Sequence, residues 1–388
     1  MTIKCLSNQS VHIYESTAKL PVAWDEALPI YHPLRSNALA LYEKIQLPDI
    51  KCYYALYGDI IKPTAIAYFQ LLNVLPKHLN TGLLAGYQAK LAPLCLNVFR
   101  PSLLIAGHLF RHDIVNFYSA TLASIDAYRV YEKMIQAVAH KSSAMATLIK
   151  DVPEELVPYF QNFAPHYTQL RNDISMQMLL PEAWKDFSHY EAALKHKYAQ
   201  KLRKVRAASQ HLRIEELSTE EVVANAEVIF QLYQQVSSRQ AVSLGLLNAS
   251  FLPELKKMYQ QELKIWAFYE GDNMVAFASA WLQPSCFDMF YIGFDYKRNS
   301  ALSLYFNILY FSVKQAIFYQ KPKLNLGRTA LEAKARLGCT PRYLPTFLYV
   351  KNVCIRALVN SKINLQHEQE GEWEDRHPLK PQNTQSAT

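Results

Sequence analysis

The chain repeats one order of elements. Residues 52–72, CYYALYGDIIKPTAIAYFQLL, and residues 265–283, IWAFYEGDNMVAFASAWLQ, each read as strand, Gly-Asp turn, strand. Both are rich in aromatic and β-branched residues and are bounded by turn formers, which is the hairpin signal. A further apolar run follows each, SLLIAGHLF in the first half and CFDMFYIGF in the second. A long helical pattern comes next, over 125–140 and again over 302–319. In the second, Leu302, Tyr305, Phe306, Leu309, Val313, Ala316 and Ile317 share one side of a 3.6-residue period. Strands follow at 146–152 and 323–327, and later at 174–180 and 343–351. The same order twice predicts a duplicated α/β fold, with 52–180 and 263–351 as its copies. Two unrelated α/β halves are the alternative.

Half of the 388 residues are hydrophobic and 19% are charged, which suffices for more than one core. The expected division is a first domain at 1–180, a basic connecting helix at 181–212, a second domain at 213–359 and a polar, disordered tail at 360–388. The six cysteines are scattered and form no CxxC pair. That fits a reducing compartment and argues against a zinc or disulfide framework. The opening MTIKCLSNQS has no apolar core of a secretory signal, and no run reaches the roughly 18 apolar residues of a spanning helix. A cytoplasmic location is therefore expected. A net charge of +8 points to an anionic partner: nucleic acid, nucleotide or phospholipid surface.

The charge is concentrated in FSHYEAALKHKYAQKLRKVRAAS, residues 187–209. Phe187, Tyr190, Leu194, Tyr198, Leu202 and Val205 recur every three or four residues, an apolar helix stripe. Leu194, Tyr198 and Leu202 should be buried. Between them stand Lys195, Lys197, Lys201, Arg203, Lys204 and Arg206. Lys201, Arg203 and Arg206 are candidates for the wall of an anion site, including a nucleic-acid site. A solvated face is the plain alternative, and contact with a membrane surface a third reading.

A second stretch, KLNLGRTALEAKARLGCTPRY, spans 323–343. Gly is scarce, 10 residues in all, so Gly327 marks a sharp turn after a strand. Thr329 with Glu332 three residues on has the capping-box pattern, and Gly338 ends the short helix that follows. Arg328 then sits at a strand-to-helix corner, where loops often meet ligands, with Lys334 on the helix beyond. An ordinary turn with an exposed Arg is the alternative. In CFDMFYIG, Asp288 is the acid of an apolar strand and a candidate general base, and Tyr291 a candidate acid for a leaving group. Strand alternation sends residues 288 and 291 to opposite faces unless a bulge intervenes. A solvated Asp and a core Tyr, one of 25, are the plain readings. His108, His112 and Asp113 lie close together in GHLFRHD, but without ligand geometry, so no metal site is expected. There is no GxSxG and no Walker loop.

Hairpin, third strand, long helix and then LNLGRTALEAKARLGC resemble the Gcn5-related N-acetyltransferase (GNAT) fold. More narrowly, the chain resembles the double-domain, FemAB-like acyltransferases, including those of peptidoglycan synthesis. Leu326, Gly327, Arg328, Lys334, Leu337 and Gly338 carry the resemblance, with the Lys/Arg-rich KYAQKLRKVRAAS and, more weakly, LLIAGHLFRHD. It implies tandem GNAT-like domains, each a mixed, mostly antiparallel sheet flanked by helices. It implies an N-acyltransferase that moves an acyl or aminoacyl group from a carrier to an amine, in a cleft between the domains. The carrier arm would enter between two splayed parallel strands, 286–294 and 323–327. The phosphates would meet the 295–303 loop, with Arg298, Asn299 and Ser300. Acceptors would be a small-molecule amine or a cell-wall precursor, and Arg328 and Lys334 would touch the donor phosphate or an anionic acceptor. In users of acetyl-CoA two glycines stand where this chain has Ala301 and Ser303. Fem-type enzymes that take aminoacyl-tRNA lack a clear loop, and the basic helix suits that polyanion. Acyl-CoA or acetyl-CoA and aminoacyl-tRNA both stay open as donors, and a binding protein that kept the fold without the chemistry is the rival.

Overall fold

The structure is a computed structural model that describes residues 10–78, 80, 93, 94, 96–111, 114–152, 154–163, 166–170, 174–240, 243–357, 359, 360 and 376–381. Both hairpins form where the alternation places them. In chain order the strands are β1 (Val11–Tyr14), β2 (Ile50–Gly58), β3 (Pro63–Asn73), β4 (Ser102–Ala106), β5 (Phe117–Tyr118), β6 (Ala146–Ile149) and β7 (Thr168–Leu170). Then come β8 (Ile174–Leu179), the last strand of the first half, and β9 (Arg213–Glu216), β10 (Leu263–Glu270), β11 (Asn273–Gln283), β12 (Cys286–Phe294), β13 (Lys323–Gly327), β14 (Thr340–Tyr343) and β15 (Thr346–Val350) of the second.

One sheet has the order β1-β2-β3-β4-β6-β15-β7, with β5 on β3; the other runs β9-β10-β11-β12-β13-β8-β14. Place by place, the two orders match. In each, the fourth and fifth strands are parallel (β4 with β6, β12 with β13) and the other neighbours antiparallel. The duplication read from the repeat is thus present in the fold. The sixth place holds a surprise: β15 fills it in the first sheet and β8 in the second. Each half therefore gives its last strand to the other sheet, so the copies interleave and are not the contiguous stretches 52–180 and 263–351. Apolar alternation marks a segment as a strand but does not say which sheet accepts it. The compact units follow the exchange. Unit 1 comprises 1–173, 240–248 and 344–370; unit 2 comprises 174–239, 249–343 and 371–388.

In unit 1 the Ser124–Lys141 helix lays Tyr131, Met134 and Ile135 on Phe69, Phe160 and Phe347. In unit 2 the Leu304–Phe318 helix lays Leu304, Ile308, Val313 and Ile317 on Phe287, Met289 and Leu324. The Ala226–Ser237 helix covers the opposite face of that second sheet. It comes so near Gly293 that a Cβ there would stand 2.5 Å from Leu232 C and Tyr233 N and 2.4 Å from the Phe277 ring. Backbone cannot yield as a flexible side chain does. Gly293→Ala should therefore destabilise unit 2 by about 1–3 kcal/mol, the range for overpacking. Urea denaturation followed by tryptophan fluorescence measures this, and an unchanged midpoint would count against so close a packing.

The connecting segment differs from the single helix expected. It is two helices, Phe187–Ala193 and His196–Ala208, broken at Leu194. Leu194 and Leu202 are buried as expected, while Tyr198 is half-buried. The break is occupied by part of the tail expected to be disordered. Lys195 N–H donates to Pro378 O, Lys380 N–H donates to Ala193 O, and Leu379 forms a bridge with Leu194. Leu379 also joins the unit 2 core. Polar composition predicted disorder for 360–388, yet over 376–381 one apolar residue and backbone pairing hold the chain in place.

Candidate functional site

The parallel pair β12–β13 is in register only at Phe287↔Leu324 and Asp288↔Asn325. Beyond that point β12 continues to Phe294 and β13 to Gly327. A bulge explains each departure. On β12, Ala278 faces Ile292 but Ala280 faces Met289, so Phe290 and Tyr291 together oppose Ser279. Ser279 Oγ donates to Tyr291 O at 2.7 Å and accepts from Tyr291 N at 2.9 Å, standing in for the ladder bonds that the bulge loses. On β13, Asn325 faces Gln177 and Gly327 faces Met176, leaving Leu326 as the extra residue. Bulges bend and twist the strand that carries them. The ladder between the two strands therefore ends after one shared step, leaving a gap in their pairing. The counterpart β4–β6 stays in register from Leu103↔Ala146 to Ala106↔Ile149, and Lys150 N–H then donates to Ala106 O. A Cβ on Gly107 would lie 2.8 Å from Lys150 Cβ, so that end is held shut.

The β12 bulge also changes which side chains share a face. Phe287 and Met289 point into the core under the Leu304–Phe318 helix. Phe290 and Tyr291 both reach the Phe251 ring on the other side, at 6.1 and 5.7 Å between centroids. Asp288 and Tyr291, on opposite faces of a regular strand, are thus brought to one face. Asp288 is 2% exposed and lies at the last paired position. Its Oδ1 accepts from Asn325 Nδ2 at 2.7 Å and its Oδ2 from Gln283 Nε2 at 3.4 Å. Asn325 Oδ1 in turn accepts from Ser175 Oγ at 2.7 Å and from Gly327 N–H at 3.0 Å. A buried polar chain therefore runs through four strands, from β11 to β8, at the root of the gap. Among the described residues, sequence reasoning missed Ser279, Asn325 and Ser175. Each is a small polar residue within an apolar strand, and that was the available signal.

At the end of β13, Gly327 has φ +71° and makes the expected turn. The capping box does not form. Thr329 and Ala330 are themselves left-handed, at φ +64° and +48°, and Ala330 is the N-cap, without a side-chain cap. Glu332 bonds Arg336 and Arg376 instead. A β-branched residue in that region is strained, and such strain gathers at functional corners. Arg328 is half-buried at this corner. Lys334 does not reach outward as expected. It is 4% exposed, and its Nζ donates to the carbonyls of Gly327 at 3.0 Å and Arg328 at 2.5 Å. It braces the corner. Burial drives its pKa down to about 7, and the neighbouring Cys339 thiol is pushed up to about 12 by burial.

The 295–303 segment is a short helix, Tyr296–Leu302, rather than an open loop. Its first N–H groups have partners: Tyr296 N–H donates to Gln235 Oε1, Lys297 N–H to Asp295 Oδ1, and Arg298 and Asn299 N–H to Asp295 O. The Arg298 guanidinium pairs with Glu270 and Asp295, and Asn299 Oδ1 accepts from Tyr305 N–H. Arg298 and Asn299 are therefore engaged within the protein, while Ser300 is exposed. On the His196–Ala208 helix the expected trio separates. Arg206 pairs with Glu191 at 2.6 Å and stacks on Phe187, Arg203 is exposed elsewhere, and Lys201 lies over Phe306. In unit 1, His108 is a core histidine, packed on Tyr42 and Tyr68, with Nδ1 accepting from Phe110 N–H. His112 and Asp113 fall outside the described residues. Among those described, no cluster of three metal-binding side chains occurs, and no helix is long and apolar enough to cross a membrane.

No protein-family model matches the sequence, and no curated protein does. Among solved structures, FemX matches at a TM-score of 0.52 and 9% identity, over 90% of this chain and 99% of that one. The fold is that of FemX, and within it one sheet order occurs twice. A tandem GNAT protein of the clavulanic acid biosynthesis pathway matches at a TM-score of 0.46 and 8% identity, over 88% of this chain and 99% of that one. L-PGS from Bacillus licheniformis matches at 0.46 and 10% identity, over 87% and 99%. Identities this low concern the fold and not the chemistry. Of the two sheets, that of unit 2 ends the pairing of its fourth and fifth strands after one step, and that of unit 1 keeps it.

Proposed function

We propose that the protein is an acyltransferase that holds the arm of an acyl carrier where β12 and β13 part and passes the acyl or aminoacyl group to an amine. The observation that carries this reading is the gap itself, opened by two bulges in unit 2 and absent from the same place in unit 1. Diverging strands expose backbone donors and acceptors, which an extended arm can pair with as an added strand would. The amine attacks the acyl carbonyl and breaks its bond to the carrier. Asp288 takes the proton that the amine loses, and Tyr291, on the same face, gives one to the leaving group. Arg328 meets an anionic group of donor or acceptor, since its guanidinium presents a rigid fork of donors. Acyl-CoA is the first donor proposed, with the amine of a small molecule or a cell-wall precursor as acceptor. Aminoacyl-tRNA is the second, favoured by the engaged N–H groups of the Tyr296–Leu302 helix, which leave a CoA pyrophosphate no ready cradle there.

The test is to incubate the purified protein with acetyl-CoA, a long-chain acyl-CoA or an aminoacyl-tRNA, together with a panel of amines. Native mass spectrometry reads the retained carrier, and loss of the thioester or ester reads transfer. Carrier retention with amine-dependent loss supports the proposal. Retention without transfer assigns a binding protein, and neither would overturn the reading of the gap.

A further inference from the structure

Five cationic side chains of unit 2 converge on one cavity. Lys197, Lys201 and Lys204 are spaced four and three residues apart, on one face of the His196–Ala208 helix. Arg336 comes from the end of the Leu331–Ala335 helix, and Arg376 from the tail segment that docks at the helix break. The two arginines share Glu332 Oε1, at 2.7 and 2.8 Å, which fixes both guanidinium groups at the rim. The cavity measures about 330 Å³, and Tyr198, Phe306 and Tyr310 form its aromatic wall. No carboxylate belongs to its described lining. A solvated basic face would spread its charges around the helix. Here three separate chain segments bring five cations to one concave place with a single carboxylate, Glu332, bonded to the two arginines, so a Coulomb cost remains that an anion inside would offset.

We propose that this cavity binds a nucleotide carrying at least two phosphates, with the base on the aromatic wall and the phosphates on the lysines and arginines. The volume matches a small-molecule site rather than the backbone of a duplex. Bases stack on aromatic faces, and Lys201 Nζ lies 4.9 Å from the centre of the Phe306 ring, so platform and cation adjoin. A free nucleotide and the nucleotide end of a larger carrier share this chemistry. The site stands on residues apart from the β12–β13 gap and does not depend on acyl transfer.

Calorimetry of the full chain with ADP, pyrophosphate, inorganic phosphate and adenosine tests it. ADP should bind, pyrophosphate more weakly, and adenosine weakest. Raising salt from about 50 to about 200 mM should weaken ADP binding. Lys201→Glu and Lys204→Glu should each weaken ADP by about tenfold or more, a loss in the range for a hydrogen bond to a charged group. Lys185→Glu, an equal charge change on an exposed residue outside the cavity, should not. Thermal melts of all variants check that the fold is kept. Coenzyme A competing with ADP would identify a carrier's nucleotide end, and ADP binding without such competition a free nucleotide. Four results would overturn the proposal: no ADP binding, phosphate equal to ADP, an equal loss in Lys185→Glu, or an RNA hairpin binding through the same lysines far more tightly than ADP.

Discussion

Asp288→Asn should lower the rate of acyl transfer by about 10²–10⁴-fold, the usual worth of a positioned acid or base. Carrier binding and the melting temperature should change little. Asn has nearly the shape of Asp, and its amide oxygen can still accept the 2.7 Å bond from Asn325 Nδ2. Its amide nitrogen would face Gln283 Nε2, a donor against a donor, but that contact is 3.4 Å and Gln can turn its amide. What Asn cannot do is take a proton. A rate loss without a loss of stability therefore separates proton transfer from bracing. If the variant melts early yet transfers normally, Asp288 serves only to tie β12 to β13 where they part. The arrangement allows both roles, because the carboxylate sits at the last shared rung and on the same face as Tyr291.

The two hairpins and the strands after each long helix were legible in the chain because hydrophobic alternation is local. The strand exchange was not, since β8 and β15 carry the same apolar signal whichever sheet receives them. The bulge at Phe290 and Tyr291 had a weak mark, the hydroxyl of Ser279 within FASAW, which makes sense only against the backbone it satisfies. The anion-site trio was chosen by charge alone. Spacing would have separated it: Lys197, Lys201 and Lys204 share a face, whereas Arg206 is drawn off by Glu191. The capping box at Thr329 and Glu332 failed for a related reason. Glu332 found two arginines, one of them 44 residues away in sequence, which no local pattern could reveal.

Lys334 carries the second large effect, on stability against pH. Burial lowers its pKa from 10.5 to about 7 in the folded protein. The unfolded chain thus holds the proton more tightly than the folded one between those values, so stability rises with pH across that window. Below about pH 7 both states are protonated and the cost is present in full; above about 10.5 both are neutral and it is gone. A shift of that size bounds the gain at about 5 kcal/mol, some 1.4 kcal/mol per pH unit. Hydrogen bonding points the same way: a neutral amine has two N–H groups, and two carbonyls wait for them, Gly327 O and Arg328 O. The third N–H of the ammonium is left in the interior. Lys334→Met keeps the stem and removes the titration, at a cost of about 1–3 kcal/mol for each carbonyl left bare. Denaturant unfolding at pH 7, 8, 9 and 10 should show wild type gaining on Lys334→Met at each step. Parallel curves would mean that Lys334 stays charged throughout and braces the corner as a cation. In either case the brace fixes the Gly327–Arg328 turn, so loss of anion binding at Arg328 should accompany Lys334→Met even where the protein remains folded.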